Sequence, residues 1–519
     1  MNSLNPKLTS PATGIDRLRT PPRHPLVLCL GALLAAAAPF DPVHAATLPV
    51  TSCADDGSPG TLRSVIYSAH DNDVVDLTQL ACSTITLTQG TIGTDYLSDH
   101  PVGYLTIQGP GRDALTISGG GQFLVFAVGG FGLLPTFTVN DITIAHGVNI
   151  NTASPWYESG ACIFSVSGAV VLNRVTVTDC HSTFLGGVGG GGGVEGAGLL
   201  QIVDSEITNS SIDAVDGLAA SGSGAWVGGR MEIVRSTITG NHISASVAED
   251  AYGRGYTTGG GGVYSAGDLI VIDSTITGNT VEATDPGEDG CGGAALARGT
   301  MTIVNSTLSG NTTDGDGGGL CKLLITLLSD DSIIAVSDST ITGNVAGGAG
   351  GATVSQRAVT IANSTLAFND STLGGAVMFR VSDIPYNPPV TTLALQSSII
   401  ASNTAATGAP YAADLAVDAN LIVSGANNLV MNADPDIVLP PDTLDSDPLL
   451  LPLAWNGGLT QTLALSPGSP AIDAGNNTAG LDYDQRGPGF PRVVGFAADI
   501  GAYEVQPRPD VIFGSGFDP

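Results

Sequence analysis

Val271-Ile-Asp-Ser-Thr-Ile-Thr-Gly-Asn279 decides the fold of this chain, because the same phrase keeps returning. It recurs as Val234-Arg-Ser-Thr-Ile-Thr-Gly-Asn241, Val304-Asn-Ser-Thr-Leu-Ser-Gly-Asn311, Val336-Ser-Asp-Ser-Thr-Ile-Thr-Gly-Asn344 and Ile361-Ala-Asn-Ser-Thr-Leu-Ala-Phe-Asn369. Taking the isoleucine-like position of every copy gives Ile144, Val177, Ile207, Ile238, Ile276, Leu308, Ile341, Leu366 and Ile400. A unit of a few tens of residues that repeats while its loops vary in length is the mark of a solenoid, in which each unit buries its apolar side against the next.

A second column lies upstream of each phrase, directly after a run of glycines: Ala161, Val194, Ala225, Val263, Ala294, Leu320, Ala352 and Ala376. All eight are apolar, as an inward column must be. Each unit thus predicts one short strand after the glycines and a second through Ser-Thr-Ile. Gly and Thr are poor material for crossover helices, and the β-branched content favours strands. The economical solution is a coil whose successive turns pair as parallel strands. We therefore expect an all-β fold, a single-stranded right-handed parallel β-helix.

Stacking gives the recurring polar residues a structural meaning. Asn241, Asn279, Asn311, Asn344, Asn369 and Asn403 are expected to form a ladder of side-chain amides, at a turn where Asn tolerates positive φ. Ser236, Ser274, Ser306, Ser339, Ser364 and Ser398 are expected to form a parallel file. One residue further along the glycine column, strand alternation turns Cys162, Glu195, Trp226, Tyr264, Ala295, Cys321, Thr353 and Val377 outward. Glu195, Trp226 and Tyr264 then stand in consecutive units, an acid beside two aromatic faces, which suits sugar rings and their hydroxyls. They are the candidate carbohydrate-binding strip, against the plainer reading that the glycine loops cover them.

Acidic loops leave the coil at one corner, with Asp213 and Asp216, then Glu249 and Asp250, then Glu282, Asp285, Glu288 and Asp289, then Asp314 and Asp316. They read as solvated loops; Ca²⁺, which takes 6 to 8 oxygen ligands, is the one cofactor they would suit, through Glu282, Asp285, Glu288, Asp289, Asp314 and Asp316. No catalytic set is expected. His146, His181 and His242 fall in different parts of the unit, the arginines are scattered, and Lys322 stands alone.

Arg17, Arg19 and Arg23 precede the apolar run Leu26 to Phe40, and small residues follow at Val43-His-Ala45, the pattern of a secretory signal peptide over 1–45. Without those residues 13 basic and 46 acidic side chains remain, a net charge of −33. Such a chain is repelled by nucleic acid and anionic membranes. No later stretch is long and apolar enough to span a bilayer, so the chain is expected outside the cytoplasm, at the outer cell surface, free in the medium or in the periplasm. Six cysteines remain, an even number that favours disulfides in an exported protein. Of 15 pairings, nearness in sequence selects Cys53 with Cys82, Cys162 with Cys180 and Cys291 with Cys321.

At the N-terminal end, Leu62, Val65, Ile66 and Ala69 share one helical face, as a lid on the first turn of the coil would need. The stretch from Thr51-Ser-Cys53 through Gly60-Thr-Leu-Arg63 to Cys82-Ser-Thr-Ile-Thr86 resembles the entry segment of exported bacterial β-helix proteins. The repeats resemble the right-handed parallel β-helix superfamily, which holds pectin-degrading enzymes, phage tailspikes and bacterial surface proteins. The C-terminal phrases Asp447-Pro-Leu, Asn456-Gly-Gly, Ser466-Pro-Gly-Ser-Pro-Ala-Ile-Asp-Ala-Gly475, Asp484-Gln-Arg-Gly487 and Ala498-Asp-Ile-Gly-Ala-Tyr-Glu504 resemble the terminal module of proteins called choice-of-anchor Q.

That resemblance implies an exported β-helix with a C-terminal closing module. The organisation expected is a signal peptide over 1–45, a cap with the first strands over 46–104, the β-helix over 105–430, the module over 431–506 and a tail over 507–519. The function expected is binding, adhesin-like or to a polysaccharide or host glycan. The alternative is a polysaccharide lyase or glycoside hydrolase of the pectate-lyase-like superfamily.

Overall fold

The computed structural model describes residues 45–507, apart from 94–102, 130–135, 152–159, 248–257, 284–289, 323–331, 381–390 and the single residues 187, 218 and 419. The expected signal segment up to residue 44 and the tail from 508 lie outside the described residues. Within them the chain is a parallel β-helix. From Thr136 onward the turns visit four sheets in the same order, as in Ala169–Asn173, Thr176–Thr178, His181–Leu185 and Val194–Gly196, which we call sheets I to IV. Among the described residues these sheets hold 13, 12, 9 and 11 strands, every neighbouring pair parallel and one turn apart.

The recurring phrase folds as sheet II with a corner on each side. The isoleucine column runs in register from Ile85 through Ile117, Ile144, Val177 and Ile207 to Ile276, Leu308, Ile341, Leu366 and Ile400. Each of these side chains is fully buried in one continuous core. Full burial of such a side chain contributes about 1.5–3 kcal/mol, repeated at every turn.

Both corners are made by residues in the left-handed region. Three positions before the isoleucine stand Asp141, Arg174, Asp204, Arg235, Asp273, Asn305, Asp338 and Asn363, with φ between 46° and 55°. Two positions after it stand Gly240, Gly278, Gly310 and Gly343, at φ 62° to 65°. The positive φ expected at the asparagines therefore belongs to the glycine one residue earlier, where the absence of Cβ makes it unstrained. The glycine turns the chain so that the next side chain, Asn, points inward.

That inward Asn forms the ladder. Asn279 donates both its backbone N–H (3.1 Å) and its Nδ2 (2.9 Å) to Asn311 Oδ1, and Asn241 does the same to Asn279. The second Nδ2 proton of Asn279 reaches Ile238 O, one turn back. The pattern continues through Asn344, Asn369 and Asn403 and ends on the buried carboxylate of Asp414. At the other corner Ser274 N donates to Ser306 Oγ (3.1 Å), and equivalent bonds link Ser205, Ser236, Ser339, Ser364 and Ser398. These bonds satisfy backbone donors that no ladder partner could reach at a corner.

The glycine column is buried at all eight positions, but its register differs from that expected. Val263 pairs with Ala295, Ala295 with Leu320, Leu320 with Thr353 and Thr353 with Val377. Ala295, Thr353 and Val377 therefore share the buried face of Val263, and Leu296, Val354 and Met378 share the outer face of Tyr264. The length of the glycine turn varies by a residue between units, and a one-residue slip exchanges the two faces of a strand.

Helix α1 (Leu62–Ser68) starts at Thr61, whose side chain caps Ser64 N, and buries Leu62, Val65 and Ile66 against the first turn of the coil. Arg63 holds Asp55 through two hydrogen bonds (2.8 and 2.9 Å) and reaches Gly90 O and Thr91 O. Disulfide bonds join Cys53 to Cys82, Cys162 to Cys180 and Cys291 to Cys321.

The C-terminal segment does more than close the coil. Residues around Asp434 and Leu444 pair with the last turn, and the chain then runs back along the outer face of sheet II. Thr460 Oγ1 donates to Asn305 O and Thr307 Oγ1 to Gln461 O. Gln485 bonds Thr307 and Thr340, Arg492 bonds Asn363, and Ala502 N bonds Thr365 Oγ1. Outward threonines are consequently buried at Thr307, Thr340 and Thr365, whereas Thr237 and Thr275, on turns nearer the N-terminus, are half-exposed.

Candidate functional site

Glu195, Trp226 and Tyr264 do stand in line on the outer face of sheet IV, in register. They do not form a surface strip. Glu195 and Tyr264 are 4% and 5% exposed. Glu195 accepts a hydrogen bond from Gly160 N at 2.9 Å. Trp226 lies stacked on Tyr264, ring centroids 5.9 Å apart and planes 9° off parallel. A second apolar core, of Tyr264, Leu296, Val354, Met378 and Ala416 with Trp226 packed against it, occupies this face. Its cover is the segment that returns before each glycine turn: Ser221, Gly259, Cys291 and Asp316 bridge one another in parallel. Cys291–Cys321 staples that return segment to sheet IV.

Of the candidate Ca²⁺ ligands only Glu282, Asp314 and Asp316 are among the described residues, and these three do not converge. Asp314 accepts from Ala283 N and from Gly290 N, both on the preceding turn. Asp316 is buried, accepts from Ala349 N at 2.8 Å and pairs with Arg380. Glu282 is exposed on sheet III. Glu249, Asp250, Asp285, Glu288 and Asp289 lie outside the described residues, as does the side chain of Asp216. Among the described residues no three His, Cys, Asp or Glu groups are placed to hold a metal ion.

Two histidines, expected in unrelated positions, fall in one file on the outside of sheet III. His181 pairs with Ser211, and Ser211 with His242. His181 Nδ1 is 2.8 Å from Ser211 Oγ, and His181 Nε2 is 3.5 Å from Asp213 Oδ2 and 3.0 Å from Thr183 Oγ1. This has the composition of a nucleophile, base and acid. The neighbouring amides are spent in the sheet, Ser211 N on Cys180 O and His242 N on Ser210 O, so they are not free to receive a developing oxyanion. His146 sits elsewhere, at a corner with φ 52°.

Two of the arginines, Arg174 and Arg235, are ordered in one file. Arg174 bonds Asp141 (2.6 and 2.7 Å) and Arg235 bonds Asp204 (2.7 and 2.8 Å), each one turn from its partner, so the corner file reads acid, base, acid, base, acid from Asp141 to Asp273. The hydrogen bonds from Arg174 and Arg235 hold the Asp141 and Asp204 carboxyls below the usual range. Lys322 is buried with its ammonium on Arg298 O and Gly299 O, both 2.7 Å.

From Asn305 onward the same file carries no arginine, and the folded-back module takes the place of one. There a cleft of about 400 Å³ opens between the file and the module, lined by Asp273, Asn305, Asp338, Leu459, Asp482 and Tyr483 among others. A buried polar cluster forms part of its wall. Arg486 is pinned between Phe490 and Tyr503 and bonded to Asp484, Asn456 O and Glu504 O. Glu504 accepts from Val494 N and Asp499 N, and Asp499 from Asp473 N and Val505 N. Burial pushes Asp338 and Glu504 up to about 7 and Asp414 to about 6, and it raises Asp499 as well. Most of these acids are thus held by backbone amides. Asp338 differs: Oδ1 is buried with no hydrogen-bond partner in the protein, and the charge of Arg492 works against the rise that burial causes.

The architecture defines the class, a parallel β-helix with an outer cover on sheet IV and a folded-back module on sheet II. No family model matches the chain, and no curated protein matches it. Among solved structures, the crystal structure of pectate lyase Pel9A aligns over 89% of this chain and 96% of its own, with 12% identity and a TM-score of 0.37. That likeness assigns no activity. Among the described residues no helix is long and apolar enough to cross a membrane.

Proposed function

We propose that the chain is exported and works by binding carbohydrate outside the cytoplasm, as a secreted or surface-held, adhesin-like β-helix with a choice-of-anchor Q-like C-terminal module. Three disulfides suit an oxidising compartment. A net charge of −31, or −33 once residues 1–45 are removed, disfavours nucleic acid and anionic surfaces as partners. The carrying observation is how polar chemistry is distributed. Along the coil, Asn, Ser, Asp and Arg are spent on the next turn, while the cleft beside the module presents the exposed ring of Tyr483 between Asp273 and Asp482.

The experiment is a glycan array probed with the purified chain, run beside an assay for new reducing ends or unsaturated products on the glycans it retains. Retention without product supports the reading. Product formation replaces it with the lyase or hydrolase alternative, and retention of no glycan removes carbohydrate as the ligand.

A further inference from the structure

Arg492 is fully buried where the module meets the coil, and its charge acts on three buried carboxyls, Asp338, Asp499 and Glu504. Its hydrogen bonds go elsewhere. Nη2 donates to Asp499 O at 2.9 Å and to Asn363 Oδ1 at 3.3 Å, while Nε and Nη1 have no partner in the protein. The second guanidinium of the cluster, Arg486, is committed to a fourth buried carboxyl, Asp484. Arg492 is thus left to balance three acids, and the other charges around them, Asp273, Asp473 and Asp482, are acidic as well. Ionising all three would bury two negative charges without a counter-charge, which a low-dielectric site resists by keeping protons. Backbone amides offset part of that cost for Glu504 and Asp499, whereas Asp338 Oδ1 receives no donor. The contacts that Gln485, Thr460 and Ala502 make with sheet II are between neutral groups and do not change with pH.

We propose that residues 450–506 are a proton-held latch, kept docked on sheet II by protons on Asp338 and Glu504 and lifting off as those protons leave. Leu444, bonded to Asn428 O and to Val430 N on the last turn, keeps the lifted module tethered. Lifting uncovers Thr307, Thr340 and Thr365, which continue the row that Thr237 and Thr275 already present. The latch therefore sets how much of the outer face of sheet II meets solvent, whatever ligand the chain takes. Burial raises both carboxyls to about 7 in the docked state, against ordinary values near 4 once they are exposed, so docking weakens across that interval and levels off above it.

Hydrogen exchange of the full chain from pH 4.5 to 8, corrected for intrinsic exchange, tests this by comparing amides of residues 450–506 with those of sheet I. The opening constant of the module should rise about tenfold per pH unit for each proton released, up to about pH 7, while sheet I keeps its protection. Asp338→Asn, which cannot ionise, should reduce that rise by about tenfold per pH unit, a gain in protection at neutral pH that loss of a merely structural contact would not give. Sheet I amides report whether the variant folds, and the parent profile carries the test by itself if it does not. Equal protection of module and sheet I at every pH would overturn the latch, as would a slope that Asp338→Asn leaves unchanged.

Discussion

A single asparagine in the ladder serves three turns of the coil. Asn311 Oδ1 takes both donors of Asn279, its own N–H and Nδ2 go to Asn344, and Nδ2 also reaches Ile276 O. Asn311→Ala leaves the buried Asn279 donors unmet, at about 1–3 kcal/mol for each group so stranded. Urea denaturation should register the loss, and a neutral result would mean the amides contribute nothing net. Trp226 belongs to the same scale. Stacked on Tyr264 and packed against an apolar core, it should cost about 2–4 kcal/mol of stability as Trp226→Ala, below the range for a fully buried tryptophan because part of the ring is exposed. Glycan retention by that variant should match the parent. The ladder residues were legible in the sequence because each sits at a fixed offset from an isoleucine. The alternating Asp–Arg file sits at an equally fixed offset of three residues and was legible too, but arginines considered one by one conceal it.

At the level of the strand and its turns, glycines that look alike do different work. Gly292 has φ 73°, and a Cβ there would run into Ala295 O and press on Cys321 Cβ at 3.1 Å. Gly310 has φ 62° with nothing within 4 Å of where a Cβ would go. Gly310→Ala should therefore cost only the left-handed penalty of about 1–2 kcal/mol. Gly292→Ala should cost clearly more, through the forced movement of the return segment; equal melting temperatures for the two variants would contradict this. The same turn decides which residues reach the outer face of sheet IV. Aligning units on their last glycine places Ala295, Thr353 and Val377 outside, whereas pairing places Leu296, Val354 and Met378 there. With those residues in view the face is apolar and needs a cover. Nothing in the local pattern of the return segment, mostly Gly, Ser and Asp, announces that it will lie across a sheet.

Across the whole coil, the sequence predicted the class of fold because repetition averages out local ambiguity. It could not place the folded-back module, whose contacts span up to 179 residues, as from Gln485 to Ser306. That docking also sets the acid response. Asp338 and Glu504 are pushed up to about 7 and Asp414 to about 6, so the folded chain holds protons that the unfolded chain has released above its ordinary carboxyl values. Their contribution is full below about pH 4 and is lost as pH rises through 6 to 7. Asp55, Asp141 and Asp204 run the other way. Burial tends to raise Asp55, but Arg63 and the amides of Thr88 and Gln89 outweigh it, and Arg174 and Arg235 lower the other two. Their contribution is present above about pH 4 and is lost as pH falls through their lowered values. Melting temperature should therefore peak near pH 4 and fall by several degrees toward pH 7; a flat profile from 4 to 7 would mean that these acids do not carry the proton linkage.

The alternation from Asp141 to Asp273 also bears on how near-identical turns find their proper neighbours. Copies this similar invite misassembly, because a turn that skipped its neighbour and paired with the next one along would still bury its isoleucine. Such a skip brings Asp141 onto Asp204 and Arg174 onto Arg235, like on like, where the correct order brings unlike charges together. The opposing signs thus act as a key against that skip over the turns from Asp141 to Asp273.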